Sequence, residues 1–408
     1  MTMNKRKRTK LENLRVPYAL AVHGKEEEKA VLGVLRSKNT MIGNMTKKFE
    51  LKVAKLFGKK YGIMVNSGSS ANLIATKLLK LPKNAEVITP VLTFSTTVAP
   101  LIQNNLKPKF VDVEEGTYLI NIELLKREIS KRTKAIFIPS LLGNIPNLSE
   151  LQKLADDNSL FFIEDSCDTL GGLLNGKPTG TYSDISTTSF YGSHVITACG
   201  GGGMICVNNK DWAAKSKMLR GWGRTSAVDE SETIEKRFNI KVENMQYDSK
   251  FIFGEIGYNF LPLEVSSAFG LEQLKKLKTF ATIRRHNFNM LYEFFKKYEE
   301  YFILPRQLAN VTTSWLAFPL TIREGTPFTR YDLVINFERN NIQTRPIFTG
   351  NVLRQPAFKN ISIHKDFPKA DDIMKNGFVV GCNQSIGKQH IQKIERVFED
   401  FLNAHIKR

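Results

Sequence analysis

The sequence predicts an α/β protein: a large, doubly wound, mostly parallel sheet domain followed by a smaller C-terminal α+β domain. Two observations carry this. From Tyr61 to about Val207, short apolar runs alternate with amphipathic stretches, the pattern of buried parallel strands joined by helices. A long helical pattern runs from Val265 to about Lys297, and beyond about Thr312 the elements become shorter and mixed. The 408 residues are 42% hydrophobic and 24% charged, enough apolar surface for sizeable cores, which excludes a mainly disordered chain.

Taken in order, Tyr61–Asn66 reads as a short strand ending at Ser67-Gly68-Ser69-Ser70. Ala71–Leu79 follows with apolar residues at 73, 74, 78 and 79, one face of a helix. Glu86–Pro90, Lys109–Val113, Ala135–Pro139 and Leu160–Asp165 read as buried strands, with helices at Asn121–Ile129 and Leu148–Asp156. Ile185–Phe190 and Gly203–Val207 are two further strands around a glycine run. The expected organisation is a basic tail and arm over 1–30, a large domain over 31–280 and a small domain over 281–408. Ligands of such sheets sit at the carboxyl ends of the strands.

The formal net charge is +19. Its densest cluster, Lys5, Arg6, Lys7, Arg8 and Lys10, lies at a chain end and reads as a solvated tail; the other lysines are scattered. No zinc-finger spacing, RNP-like aromatic run or basic-zipper pattern accompanies them, so no nucleic-acid partner is expected. A positive field suits anionic small molecules such as nucleotide-linked substrates. No run of eighteen apolar residues is present and the start lacks an apolar signal-peptide region, so neither a membrane nor secretion is expected. Four cysteines, at 167, 199, 206 and 382, form no disulfide framework, which points to a reducing cytoplasm.

Three segments carry chemistry. Asn66-Ser-Gly-Ser-Ser-Ala-Asn72 combines a turn glycine, hydroxyls and a helix N-terminus, an arrangement suited to phosphate; it also reads as a plain strand-to-helix turn. Glu164-Asp165-Ser-Cys-Asp168 ends an apolar strand, where a carboxylate either caps a helix or holds a proton on a heteroaromatic nitrogen. Thr188-Ser-Phe-Tyr-Gly-Ser-His194, continuing to Gly203, places serine and histidine in a glycine-flanked loop. A dinucleotide-binding reading fails, because no G-x-G-x-x-G follows a first strand.

The order of these three pieces resembles the sugar aminotransferases of the DegT/DnrJ/EryC1/StrS group, from about residue 30 to the C-terminus. The resemblance implies a fold-type I pyridoxal-phosphate (PLP) transferase fold. In that family the fifth residue after the Ser-Phe serine is the lysine that holds the cofactor covalently. Here it is His194, and no lysine lies between Lys177 and Lys210. That departure resembles the branch of 3-dehydratases in dideoxysugar biosynthesis. It implies a PLP/PMP enzyme that removes the C3 hydroxyl of a 4-keto-6-deoxy nucleotide sugar, with PMP (the amine form) regenerated by glutamate. Other lysine-free PMP chemistry on a ketosugar, or a silent sugar-nucleotide binding paralogue, stands as the alternative.

The resemblance further implies roles for single residues. His194 is the catalytic base, since a histidine near pKa 6.5 can take a proton at neutral pH. Gly68, Ser69 and Ser189 bind the cofactor phosphate, and Asp165 pairs with the pyridinium nitrogen. Phe94 stacks on the ring, or alternatively packs in the core. Asp168 lies on the ring's 3-hydroxyl side. Asn259, in Gly257-Tyr-Asn-Phe, reaches the phosphate of a second subunit, implying a homodimer with shared sites. Arg345, in Thr344-Arg-Pro, contacts the sugar or its diphosphate, or is a plain surface arginine. Gly200 replaces an acidic residue of the family's glycine run. A sub-branch carries an iron–sulfur cluster on cysteines in the segment matching Arg220–Leu261; this chain has none there, so no cluster or other metal is expected.

Overall fold

The computed structural model describes residues 13–228, 233–361 and 365–406. The basic cluster Lys5–Lys10 lies outside the described residues. Seven strands form the main sheet: β1 Tyr61–Val65, β2 Glu86–Pro90, β3 Lys107–Val111, β4 Thr133–Pro139, β5 Phe161–Asp165, β6 Ile185–Ser189 and β7 Gly203–Val207. Their order across the sheet is β1-β7-β6-β5-β4-β2-β3. Only β7 runs against the others, pairing antiparallel with both β1 and β6. The expected mostly parallel sheet is therefore present, and the chain ends of β1, β2, β5 and β6 emerge on one side.

The strands β2 and β6 are buried along their whole length, as parallel strands covered by helices on both faces must be. Side-chain caps set the crossover helices. Ser67 accepts from Ser70 N at 3.1 Å to start helix Gly68–Leu78, and Asn121 and Asn147 do the same for Ile122–Glu128 and Leu148–Asp157.

A second sheet of four strands follows: β8 Phe302–Ile303, β9 Phe318–Ile322, β10 Thr344–Pro346 and β11 Gly377–Val380, in the order β8-β9-β11-β10. The 32-residue helix Glu264–Phe295 joins the two parts and runs unbroken through residue 280. At its start the Glu264 carboxylate accepts from Gly43 N, Met45 N, Thr46 N and Thr46 Oγ1. At its end Phe295 packs against Phe302 and Phe318 with centroids 5.5 and 5.8 Å apart. Asp112, just past β3, clamps the junction by accepting from Lys369 N and Ala370 N at 2.9 Å.

Residues 13–24 cross the second sheet's side as an extended arm. Val16 bridges to Ile342, and Asn383 Nδ2 donates to the carbonyls of Pro17 and Tyr18 at 3.1 and 3.0 Å. Gly381 lets the arm approach: a Cβ there would sit 2.2 Å from Pro17 O. This contact carries Tyr18 toward the carboxyl ends of the main sheet.

Candidate active site

Those strand ends open into a cavity of about 480 Å³ between the two sheets. Gly68, Ser69, Phe94, Asp165, Asp168, Ser189, His194 and Arg345 all line it, so eight of the nine residues singled out in the sequence converge there. Asn259 does not. It is exposed on a separate loop, bridged to Gly221 and flanked by the exposed Phe253 and Ile256. A larger groove of about 680 Å³, beside helix Lys25–Ser37, includes Glu264, whose carboxylate is already engaged at the start of helix Asn44–Leu56. The chemistry lies in the smaller cavity.

Asp165 ends β5 and is 6% exposed. Its Oδ2 accepts from Asn72 Nδ2 at 2.9 Å and Thr97 Oγ1 at 2.8 Å, and its Oδ1 accepts from Cys167 N at 3.1 Å. Thr187 Oγ1 donates to Asn72 Oδ1 at 2.6 Å, which fixes the amide with its NH₂ toward Asp165. Together these donors hold the Asp165 carboxylate in one orientation at the cavity.

The N-terminus of helix Gly68–Leu78 forms the opposite corner. A Cβ on Gly68 would stand 2.7 Å from Ser189 Cβ and 2.8 Å from Cys167 Sγ, so only glycine brings these amides so close to β6. Ser69 Oγ donates to Thr96 Oγ1 at 3.1 Å. Unsatisfied N–H groups and hydroxyls at a helix start make an anion cradle. Phe94 caps the next helix, is 49% exposed at the cavity rim and meets Phe348 edge-on at 6.4 Å. It belongs to the cavity rather than to the core.

His194 sits in the loop after β6, and its Nδ1 is buried without a hydrogen-bond partner. Burial pushes the imidazole down to about 4; the carbonyls of Cys167 and Ser189 and the charge of Asp165 oppose that shift, while Arg284 adds to it. Histidine is thus neutral at pH 7, a free base more firmly than its ordinary pKa of 6.5 implies. Asp168 is pushed up to about 7 by burial and the nearby Asp165, although Leu142 N donates to it at 2.8 Å. Burial raises the Cys167 thiol well above its usual range, so it is no nucleophile. Cys199 is exposed in the following turn and does not line the cavity.

Arg345 is exposed on β10, with its guanidinium carbon 5.5 Å from the Tyr18 ring centroid. Gly200 has φ +95°, a backbone conformation that disfavours any side chain. Sequence reasoning missed Tyr18, Asn72, Thr97 and Phe348. Asn72 and Thr97 stood inside segments already singled out, four residues after Gly68 and three after Phe94, on the helix faces turned to the strand ends. Tyr18 and Phe348 carried no local signal.

The donor set fits a PLP-type cofactor: an acidic residue for the ring nitrogen, an anion cradle for the phosphate, an aromatic rim and an orphaned imidazole nitrogen. Among the described residues, no group of three or more His, Cys, Asp or Glu side chains is placed to hold a metal ion, and no helix is long and apolar enough to cross a membrane.

Comparison with known proteins agrees. The chain is 35% identical to the GDP-4-keto-6-deoxy-D-mannose 3-dehydratase of Escherichia coli O55:H7, across 90% of this chain and 95% of that protein. It is 35% identical to the dTDP-4-dehydro-2,6-dideoxy-D-glucose 3-dehydratase of Saccharopolyspora spinosa, across 88% and 80%. A crystal structure of GDP-4-keto-6-deoxymannose-3-dehydratase with a trapped PLP-glutamate geminal diamine superposes with a TM-score of 0.85 at 33% identity, covering 94% of this chain and 99% of that one. Residues 22–399 match a single family signature. With the fold, the cavity and these relatives in agreement, the chain belongs to the DegT/DnrJ/EryC1/StrS aminotransferase family.

Proposed function

We propose that this protein is a PLP/PMP-dependent dehydratase that removes the C3 hydroxyl of a 4-keto-6-deoxy nucleotide sugar. One observation supports the reading: His194 lines the cavity, and no lysine lines that cavity among the described residues; the family resemblance assigns His194 the place of the family's lysine. An imidazole cannot hold the cofactor covalently, so a lysine-free site is committed to chemistry that begins from the amine form.

When bound, PMP supplies the amine that condenses with a keto sugar and a ring that accepts electrons. Asp165 holds the proton on the ring nitrogen, oriented by Asn72 and Thr97. Gly68, Ser69 and Ser189 would hold the phosphate, and Phe94 would pack against the ring. His194, neutral and shielded, takes a proton at a ring nitrogen and returns it to the departing hydroxyl oxygen, so one group serves as base and then acid. Asp168, which lines the cavity, would stand toward the ring's 3-hydroxyl. Arg345 faces the sugar or its diphosphate, where a guanidinium suits phosphate oxygens.

We infer glutamate as the amine donor, in keeping with the PLP–glutamate adduct trapped in the related dehydratase. We also infer a homodimer: the exposed Phe251, Phe253, Ile256 and Leu263 surround Asn259 on a face outside the chain's own cavity. A second copy covering this face would receive Asn259 at its phosphate cradle. The four free cysteines suit a reducing cytoplasm.

The test is incubation with PMP, glutamate and a panel of GDP- and dTDP-linked 4-keto-6-deoxy sugars, read by mass spectrometry. The expected product lacks one oxygen, and borohydride leaves no cofactor on the denatured chain. A product in which an amine has replaced the keto oxygen while the C3 hydroxyl remains, or a covalently labelled chain, would overturn the reading.

A further inference from the structure

Arg284 is 1% exposed, yet every acceptor it meets is uncharged. Its Nε donates to Gln384 Oε1 at 2.8 Å, and its Nη1 to the carbonyls of Trp315 and Leu316 at 3.2 and 3.0 Å. Its Nη2 reaches His194 O at 3.4 Å. Gln384 in turn donates through Nε2 to Val195 O at 3.3 Å. Among the described residues no carboxylate forms an ion pair with it. A buried guanidinium without a counter-ion is costly, and an uncharged side chain would tie the same elements together with less penalty. The positive charge itself therefore calls for an explanation.

We infer that Arg284 and Gln384 form a positioning clamp for His194, which fixes the two peptide carbonyls of its loop and keeps an uncompensated positive charge beside the imidazole. Leu316, a cavity-lining residue, is held by the same guanidinium, so base and cavity wall are set from one point. A neighbouring cation disfavours protonation of histidine, and the structure shows that direction: burial lowers the imidazole first and Arg284 lowers it further. The other charged or titratable groups around His194 are Asp165, Asp168 and Cys167 beyond β5, Tyr191 in its own loop, Tyr18 on the arm and Arg345 on β10. Asp165 pulls the imidazole the opposite way, and Arg284 offsets it. Tyr18 stays protonated, because burial drives its phenol far up. The clamp thereby keeps the base empty of its proton until substrate delivers one.

This inference rests on the role of His194 as base. The test follows the His194 imidazole by NMR in ¹⁵N-histidine-labelled protein without added cofactor; the His194 signal is the one of six that vanishes in His194→Asn. Gln384→Glu keeps the size of the side chain and the contact to Arg284 but supplies the missing negative charge. It should move the His194 titration upward by roughly one pH unit and carry the acid limb of kcat/KM with it. Arg284→Met should do the same and lower kcat more than it alters KM. A merely structural tie would change melting temperature and leave the titration where it was. An unmoved titration in folded Gln384→Glu protein overturns the clamp, even if Arg284→Met fails to fold. Full dehydration by His194→Asn would instead sink the role of His194, a separate failure.

Discussion

Around Asp165 both carboxylate oxygens accept hydrogen bonds, from two helices and the turn after β5, and the amide of Asn72 is oriented by Thr187 of β6. Around His194 the plan is reversed. Its Nδ1 is buried without a partner among the described residues, and its peptide is held from behind by Arg284 of the long helix and by Gln384. On the proposed function, the first region is saturated because holding a heteroaromatic ring is a task common to the family's reactions. On the same proposal, the second is left unsatisfied because a base must have somewhere to put a proton. A polar network that is complete stabilises; an incomplete one is retained only where chemistry uses the vacancy.

Substitution at the unsatisfied end should have the largest effect. His194→Asn should lower dehydration about 10²- to 10⁴-fold, the usual contribution of a general base, with cofactor affinity little changed. Product formation by mass spectrometry and cofactor absorbance measure the two separately. Next comes the saturated end. Thr97→Val removes one donor from the Asp165 carboxylate, which should cost about 1.5–3 kcal/mol, felt as at least about a tenfold loss in cofactor affinity. If Thr97→Val proved silent while His194→Asn was severe, the contrast between the regions would be sharper than drawn here. Equal effects would break it.

Gly68→Ala tests the join between them, since its Cβ would press on both Ser189 and Cys167. A destabilisation of about 1–3 kcal/mol is expected in chemical denaturation, together with weaker cofactor binding.

The last effect is in pH, where two opposing groups partly mask each other. His194 titrates near 4 in the fold against 6.5 ordinarily, so on acidification the unfolded chain takes up the proton first. Its stabilisation is complete above about pH 6.5 and is lost as the pH falls toward 4. Asp168, raised from 3.8 to about 7, acts oppositely: its contribution is present at low pH and lost as the pH rises through 7. The two partly cancel in the native protein. Melting curves of His194→Asn from pH 4 to 7.5 should therefore show a more acid-favouring profile than wild type, and parallel profiles would contradict the shift.

Most of the large sheet was legible because parallel strands buried on both faces are plain apolar runs, and the turn after β1 and the acid at the end of β5 are strong local signals. Seven of those strands stand within a few residues of where the alternation placed them. The cavity was half legible for the same reason: Asp165, Ser189 and Gly68 are fixed by strand ends close in sequence. Tyr18, Phe348, Arg284 and Gln384 were not, because each reaches the site from a distant part of the chain. Arg284 in particular reads as one more cation on an amphipathic helix, and only packing turns it inward.

The arm has a consequence for the order of assembly. Tyr18 bonds through its backbone to Gln343 and Asn383, residues 325 and 365 positions further along. During synthesis the arm emerges before these partners and must wait, undocked, until Gln343 and Asn383 are made. Contacts that close so long a loop form late. The cavity wall is thus a late seal: the pocket stands open until the segment carrying Asn383 is in place to dock the arm.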